Sequence, residues 1–299
     1  MSNRIGQFDS IEMHRVTLPL SDKHPVYVAY TLPLSKQARP AFNMHYAPEL
    51  GIVLSGRIKR YYRHWRTELT AGQVWLCGIW EPHGFQALQP NSQMVILSIL
   101  PEMLATTQFP GSQSFDWIAP FTVPPQKRPS VDADRRATFL SLGQRIVDTI
   151  KRKEPARDIL LCLLFFEIII ELCARWSFPA KDRSGANDNC MTVNKAIQMV
   201  FNSRRLITLQ EIAKTCGMSA SVFAGLFRRS MGISFADFSL RYRLDGAKKE
   251  LGHSQHPIKM ISASWGFTDK SHFHHVFVQH YGCTPAEFRK KYAAAPIPR

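Results

Sequence analysis

The sequence predicts an α+β protein of several domains: an N-terminal β-barrel with a helical hairpin, then an all-α C-terminal domain built on two helix-turn-helix units. Three observations carry this expectation. The first is a near-repeat between Leu209 and Phe288. Leu209, Ile212, Gly217 and Met218 return at an offset of 49 as Ile258, Ile261, Gly266 and Phe267. After one inserted residue, Phe223, Leu226, Phe227, Gly232 and Phe238 return at an offset of 50 as Phe273, Val276, Phe277, Gly282 and Phe288. A short helix, a glycine turn and a second helix make the helix-turn-helix plan. The second is a series of β-prone runs, Gly51–Leu54, Gln73–Cys77 and Met94–Leu100, set apart by turn residues up to about Pro125. The third is helical periodicity in Phe139, Leu142, Ile146 and Ile150, followed by the apolar segment Ile159–Leu172.

In chain order, the β-prone region takes residues 1–127. The helical hairpin takes 128–176, with Pro155 breaking its two members apart. The second member is apolar almost all round, so more than one side must be covered. Packing on the β domain and pairing with a second subunit are the two readings of that face. The polar stretch Ser177–Asn189 is read as a linker, giving a boundary at 177–190.

Residues 191–299 carry sharp helix boundaries. After an initial helix over Thr192–Asn202, Thr208 with Glu211 forms a capping box, Ser219 is an N-cap, and Ser234 with Asp237 marks another start. Leu240, Leu244, Ala247 and Leu251 make one face of a longer joining helix. Pro257 opens the next helix, Asp269 caps the one after it, and Thr284-Pro285-Ala286-Glu287 combines a capping box with proline at the first helical position. Seven helices result.

Composition narrows the partners. The chain of 299 residues has a formal net charge of +15. From Cys190 onward there are 16 Lys and Arg against 6 Asp and Glu, so the last third holds about two thirds of the excess. Clustered cations favour a polyanion, since Lys and Arg displace the counterions condensed on DNA. The six cysteines include no CxxC pair. The segment MSNRIGQFDSIEMHR has no apolar signal core, and the Ile159–Leu172 stretch contains Glu167 and Glu171 and is too short for a bilayer. A reduced, cytoplasmic protein without a membrane partner is expected.

The C-terminal residues resemble the DNA-binding domain of the AraC/XylS family of bacterial transcription regulators. Ile212-Ala213, Gly217-Met218-Ser219, Phe223, Leu226-Phe227-Arg228-Arg229 and Gly232 carry the likeness in the first unit. Arg243-Leu244 and Ala247 carry it in the joining helix. Ile261, Trp265-Gly266-Phe267, Ser271, Phe273, Phe277, Gly282, Thr284-Pro285 and Phe288-Arg289 carry it in the second unit. The resemblance implies one recognition helix per unit, set in successive major grooves about one helical turn apart. The shared aromatic residues are core, so readout must come from the polar residues between them. Lys270, Ser271, His274 and His275 are the base-contacting set of the second unit. Arg228, Arg229, Lys248, Lys249 and Lys290 are expected at phosphates. The first unit offers Ser221, with Ala224 and Gly225 where relatives carry larger readers. Discrimination is therefore expected mainly from the second unit.

Residues 43–83 resemble the cupin-type barrel that many AraC-like regulators carry as a sensor. His45, Glu49 and Gly56 resemble its first motif, and Gly72 with Glu81-Pro82-His83 its second. Asn43 stands where cupin enzymes have a further metal-binding histidine. That loss favours an effector pocket of His45, Glu49, Trp75, Trp80 and His83 over a metal set of His45, Glu49 and His83. Tyr61, Trp65 and Phe85 join the aromatic residues available to line a cavity or fill the core. The basic run from Arg57 to Arg66 reads as a solvated hairpin.

The expected function is sequence-specific regulation of transcription, more often activation than repression among such proteins. Its partners would be double-stranded DNA, a small-molecule effector, a second copy of the chain and, for an activator, RNA polymerase. No cofactor or catalysis is expected. A metal-dependent cupin enzyme tethered to DNA is the alternative, and a DNA-architectural protein without effector a third class.

Overall fold

The computed structural model describes residues 14–292, apart from residues 17, 22–23, 32, 38, 64, 108, 110–114, 153–155 and 177–185. The break expected at Pro155, His64 of the basic run, and residues 177–185 of the linker lie outside the described residues. The chain divides into two compact units, Met1–Cys190 and Met191–Arg299.

The first unit is built on nine strands: β1 (His14–Arg15), β2 (Val26–Tyr30), β3 (Ala41–Met44), β4 (Glu49–Ser55), β5 (Arg57–Tyr62), β6 (Arg66–Thr70), β7 (Val74–Cys77), β8 (His83–Ala87) and β9 (Gln93–Ile99). They form two sheets, ordered β1-β3-β8-β5-β6 and β2-β9-β4-β7. Every pairing is antiparallel except the short β1–β3 contact. The sheets remain two, so the expected barrel is an open one. Each β-prone run of the sequence became a strand, because β-branched and aromatic residues suit a half-buried pleat.

β4 runs through the core, with Leu50, Ile52 and Val53 fully buried. Two short helices, α1 (Pro101–Thr106) and α2 (Ala119–Thr122), follow the strands and lead to the hairpin of α3 (Arg136–Ile150) and α4 (Arg157–Cys173). The helix α3 lies against β4. A side chain at Gly143 would meet Leu54 at 2.6 Å, so glycine permits the close approach. Both helices of the hairpin also contact β9. Arg135 pairs with Glu171, and Arg145 with Glu167 at 2.6 Å, linking the two members. Phe165, Ile168 and Ile169 of α4 are fully buried, while Ile159, Leu163 and Ile170 remain exposed.

The second unit has the seven expected helices: α5 (Ala186–Phe201), α6 (Leu209–Thr215), α7 (Ala220–Met231), α8 (Phe235–His253), α9 (Ile258–Ser264), α10 (Lys270–Tyr281) and α11 (Pro285–Tyr292). The linker reading needs one correction: residues 186–189 belong to the first turns of α5. That stretch is polar, so no apolar period announces the helix until Val193.

The repeat extends to the backbone. Gly217 and Gly266 follow the first helix of each unit at φ of 66° and 73°. Gly232 and Gly282 end the second helix at 73° and 70°, a left-handed conformation that penalises residues with a Cβ. Thr208 and Glu211 form the expected capping box on α6, and Thr284 and Glu287 make the equivalent bonds on α11. Thr208→Ala should lower the stability of this unit by about 1 kcal/mol, read as a lower urea midpoint at unchanged m-value.

Around α8, Leu244, Ala247 and Leu251 are fully buried, and Leu240 is half-buried. Phe223, Phe227, Phe235 and Phe238 pack edge-on and tilted in the first unit. Phe273, Phe277 and Phe288 do so in the second. Among the described residues no helix is long and apolar enough to cross a membrane.

Candidate nucleic-acid interface and buried sensor cluster

The second helices of the two units are equal in length, and α10 repeats α7 at an offset of 50 throughout. Ser219 caps α7 by accepting a hydrogen bond from the Val222 amide, and Asp269 caps α10 by accepting one from the Ser271 amide. In each helix one side is core: Phe223, Leu226 and Phe227 in α7, Phe273, Val276 and Phe277 in α10. The opposite side is exposed. On α10 it carries Lys270, Ser271, His272, His274, His275 and Gln279. On α7 it carries Ser221, Val222, Arg228 and Arg229, with Ala224 and Gly225 half-buried between them. The two faces are chemically unlike: His272, His274 and His275 take the places of Val222, Ala224 and Gly225.

Two of these residues escaped sequence reasoning. Val222 is 56% exposed near the start of α7, where an apolar side chain can meet a thymine methyl. Gln279 occupies the position of Arg229. The repeat offset would have flagged both, had polar and apolar exposed positions been compared rather than core positions alone. Gly225 has a use of its own: a Cβ there would stand 3.2 Å from the Arg229 guanidinium, so the glycine leaves room for arginine to lie along the helix.

The expected phosphate contacts separate. Arg228, Arg229 and Lys290 are exposed, and Lys249 is half-buried. Lys248 is instead held inside α8, with Nζ 3.0 Å from Asp245 and 4.7 Å from the centre of the Tyr281 ring. Its helix position suggested a surface cation, but a carboxylate one turn away and an aromatic face claim it. Arg243, also on α8, donates to the Gly266 carbonyl at 3.1 Å and lies over the Phe267 ring. Burial lowers its pKa to about 10, which leaves it charged at neutral pH and tied to the turn of the second unit.

In the first unit, His45, Glu49 and His83 converge as the motifs implied. They are 4%, 4% and 1% exposed. Glu49 Oε2 lies 3.2 Å from His45 Nε2 and 3.4 Å from His83 Nε2. Its other oxygen accepts from Arg60 at 2.5 Å and from the Trp75 indole at 2.8 Å. Burial alone would raise the Glu49 pKa; Arg60, with His83 and His45, holds it well below the ordinary carboxylate value. Burial pushes the nearby Cys77 thiol up, so it stays protonated.

Arg60 corrects the reading of the basic run as a wholly solvated hairpin. β5 and β6 do pair, but Ile58, Arg60 and Tyr62 turn inward together. Arg60 is 1% exposed. The two-residue period of that strand was the signal for it. Trp75 and Trp80 are packed rather than open, at 3% and 7% exposure. The ring of Trp75 occupies the space a side chain at Gly51 would need. Trp80 adopts φ of 51°, an uncommon conformation for a bulky residue, and its amide donates to the His45 carbonyl at 2.8 Å. Tyr61, Trp65 and Phe85 are half-buried, with the Tyr61 hydroxyl donating to Gln86 at 2.7 Å.

Comparison with known proteins adds to this geometry. Residues 212–291 match a sequence family described as a helix-turn-helix domain. The chain is 23% identical over 269 residues to the probable transcriptional regulator LumQ of Photobacterium leiognathi, covering 89% of this chain and 97% of that protein. It is 27% identical over 209 residues to the RCS-specific HTH-type transcriptional activator RclR of Escherichia coli (strain K12), covering 67% of this chain and 64% of that one. Over 72 residues it is 36% identical to the HTH-type transcriptional activator RhaR of Yersinia pseudotuberculosis serotype O:1b, covering 24% of this chain and 25% of that one.

Proposed function

We propose that this chain is a transcription regulator of the AraC/XylS family rather than an enzyme, and that its second helix-turn-helix unit reads bases while its first mainly grips the backbone. The observation that carries the division is the contrast between the exposed faces of α7 and α10, which share a frame but not a chemistry. Lys270, Ser271, His274 and His275 offer donors or acceptors to base edges; Ser221, Arg228 and Arg229 serve position and charge. Lys249 and Lys290 add to the cationic surface.

Selection of bound duplexes from a random pool tests the proposal directly. Lys270→Ala or His275→Ala should relax preference at particular positions, by about 1–3 kcal/mol for a good contact. Arg229→Ala should weaken binding to all sequences alike and reduce the salt slope by about 1. Equal loss of discrimination in Ser221→Ala would defeat the division of labour.

Activation is the regulatory sense we assign, supported by the two similar activators, with RNA polymerase as the further partner. We assign the effector site to the first unit, around His45, Glu49, Trp75, Trp80 and His83; the charged and aromatic groups gathered there in the interior support this reading. A ligand bound there would act on DNA binding only through different affinities for two states of the protein. An effector that binds the native state must raise its melting temperature. The exposed residues Ile159, Leu163 and Ile170 of α4 suit a second copy of the chain. Leu163→Asp should then turn a dimer into a monomer in sedimentation equilibrium; an unchanged mass would remove α4 from the interface.

A further inference from the structure

We propose that a cleft beside the C-terminal end of α4 binds a purine nucleoside monophosphate, a flat heterocycle carrying a phosphate monoester. The cleft is lined by other residues than the interior cluster around Glu49, so the proposal stands whether or not an effector binds in that cluster.

The cleft has a volume of about 360 Å3 and lies between the turn Pro125–Lys127, with the residues just after it, and the chain leaving α4 at Arg175 and Trp176. Sites for small organic ligands begin at about 300 Å3. Its walls are fixed. Arg128 forks onto Glu81 at 2.7 and 2.9 Å and donates to the carbonyls of Leu76 at 2.6 Å and Val123 at 3.1 Å. The Trp176 indole donates to the Lys127 carbonyl at 3.0 Å, which ties one wall to the other.

With Arg128 committed inward, the cations left to the cleft are Lys127 and Arg175, both exposed. Among the described residues no carboxylate pairs with Lys127. Arg175 meets Asp132 at 3.4 Å and Asp134 at 2.8 Å, both through Nη1. That leaves its Nε and Nη2, the edge that grips a phosphate with two parallel hydrogen bonds. The exposed pairs with aspartate are weak and do not compete with a phosphate monoester of nearly two charges.

The rest of the lining selects what the phosphate is attached to. Trp176 is half-buried with its indole nitrogen engaged, so the ring is held in the wall as a platform for a planar group. Bases stack on such rings, and a purine has the larger face. Asp132, Gln126 and Ser130 add acceptors that need donors from the ligand. A fatty acid or a simple aromatic acid brings none, and inorganic phosphate leaves the ring unused. Ribose hydroxyls and the amino group of a purine supply them. Trp176 is also the residue from which the chain runs on through residues 177–185 to α5, so the ligand would sit at the root of the segment that joins the two units.

The test uses the full chain without DNA. Titration calorimetry with AMP and with GMP should find one site per chain for at least one of them. Inorganic phosphate and adenosine should each bind about 10-fold more weakly or worse. Lys127→Glu and Trp176→Ala should each weaken the nucleotide about 10-fold or more, with the melting temperature of the free protein unchanged. Photolabelling of the wild-type protein with 8-azido-AMP gives a readout that no folding defect can imitate: the label should fall on the peptide containing Trp176 and be competed by AMP. Absence of binding by both nucleotides at millimolar concentration would overturn the proposal. So would inorganic phosphate binding as tightly as AMP, which would make the cleft an anion site only. Undiminished binding by either variant, or a label elsewhere, would place the nucleotide on another surface, for instance the cationic faces of α7 and α10, and overturn it as well.

Discussion

Glu49→Ala should destabilise the first unit by about 3–5 kcal/mol, the usual consequence of leaving a buried charge without its partner. The stranded charge is the Arg60 guanidinium, 1% exposed and 2.5 Å from the carboxylate. The Trp75 indole would lose its acceptor in the same step. Urea unfolding followed by tryptophan fluorescence measures the loss once Trp265→Phe removes the one tryptophan of the second unit, since the remaining five lie in the first. Pairing the change with Arg60→Met should restore much of the stability, because an apolar side chain leaves no charge in the interior. A loss below about 1 kcal/mol in the single variant would mean that water reaches Arg60, contrary to its burial.

Gly246→Val should break the second unit at its joint. Even the first carbon of a side chain at Gly246 would stand 2.1–2.4 Å from three atoms of the Trp265 ring. That ring cannot simply swing away. Its indole nitrogen donates to Glu250 at 2.9 Å, and the Arg204 guanidinium lies over it at 5.1 Å. Overpacking of this kind costs about 1–3 kcal/mol, with more expected where the ring is pinned. Trp265 follows α9 directly, at the turn leading to α10, so the strain falls between α8 and α10. Footprinting should show protection shrinking from two successive turns toward one. Gly252→Ala is the control on the same helix. Its added carbon would meet only Phe288, at 3.9 Å, and the change should be neutral or stabilise by about 0.5–1 kcal/mol. Full two-turn protection by Gly246→Val would show that the ring relocates without moving α10.

Reading along the chain carried further in the second unit than in the first. Caps, glycine turns and the apolar period are short-range devices, and the repeat stated each of them twice. The N-caps at Thr208, Ser219, Ser234 and Asp269 were therefore legible. The start of α5 was not, because its first residues are polar and lack a period. Lys248 misled for a related reason: helix periodicity predicts which face is wet, but not that Asp245 and Tyr281 will engage a particular ammonium.

The sequence by itself determined the two helix-turn-helix units, the sheet-forming N-terminal region and the identities of His45, Glu49 and His83, since each is written in local pattern or in short motifs. Only the tertiary structure decided that Arg60 turns inward, that Glu49 gives one oxygen to Arg60 and Trp75 and the other to the histidines, and that Gly246 receives Trp265. The reason is distance along the chain. A buried charge or a ring seated on a glycine depends on what another strand or helix brings to the same point, and neither residue type nor local period records that partner.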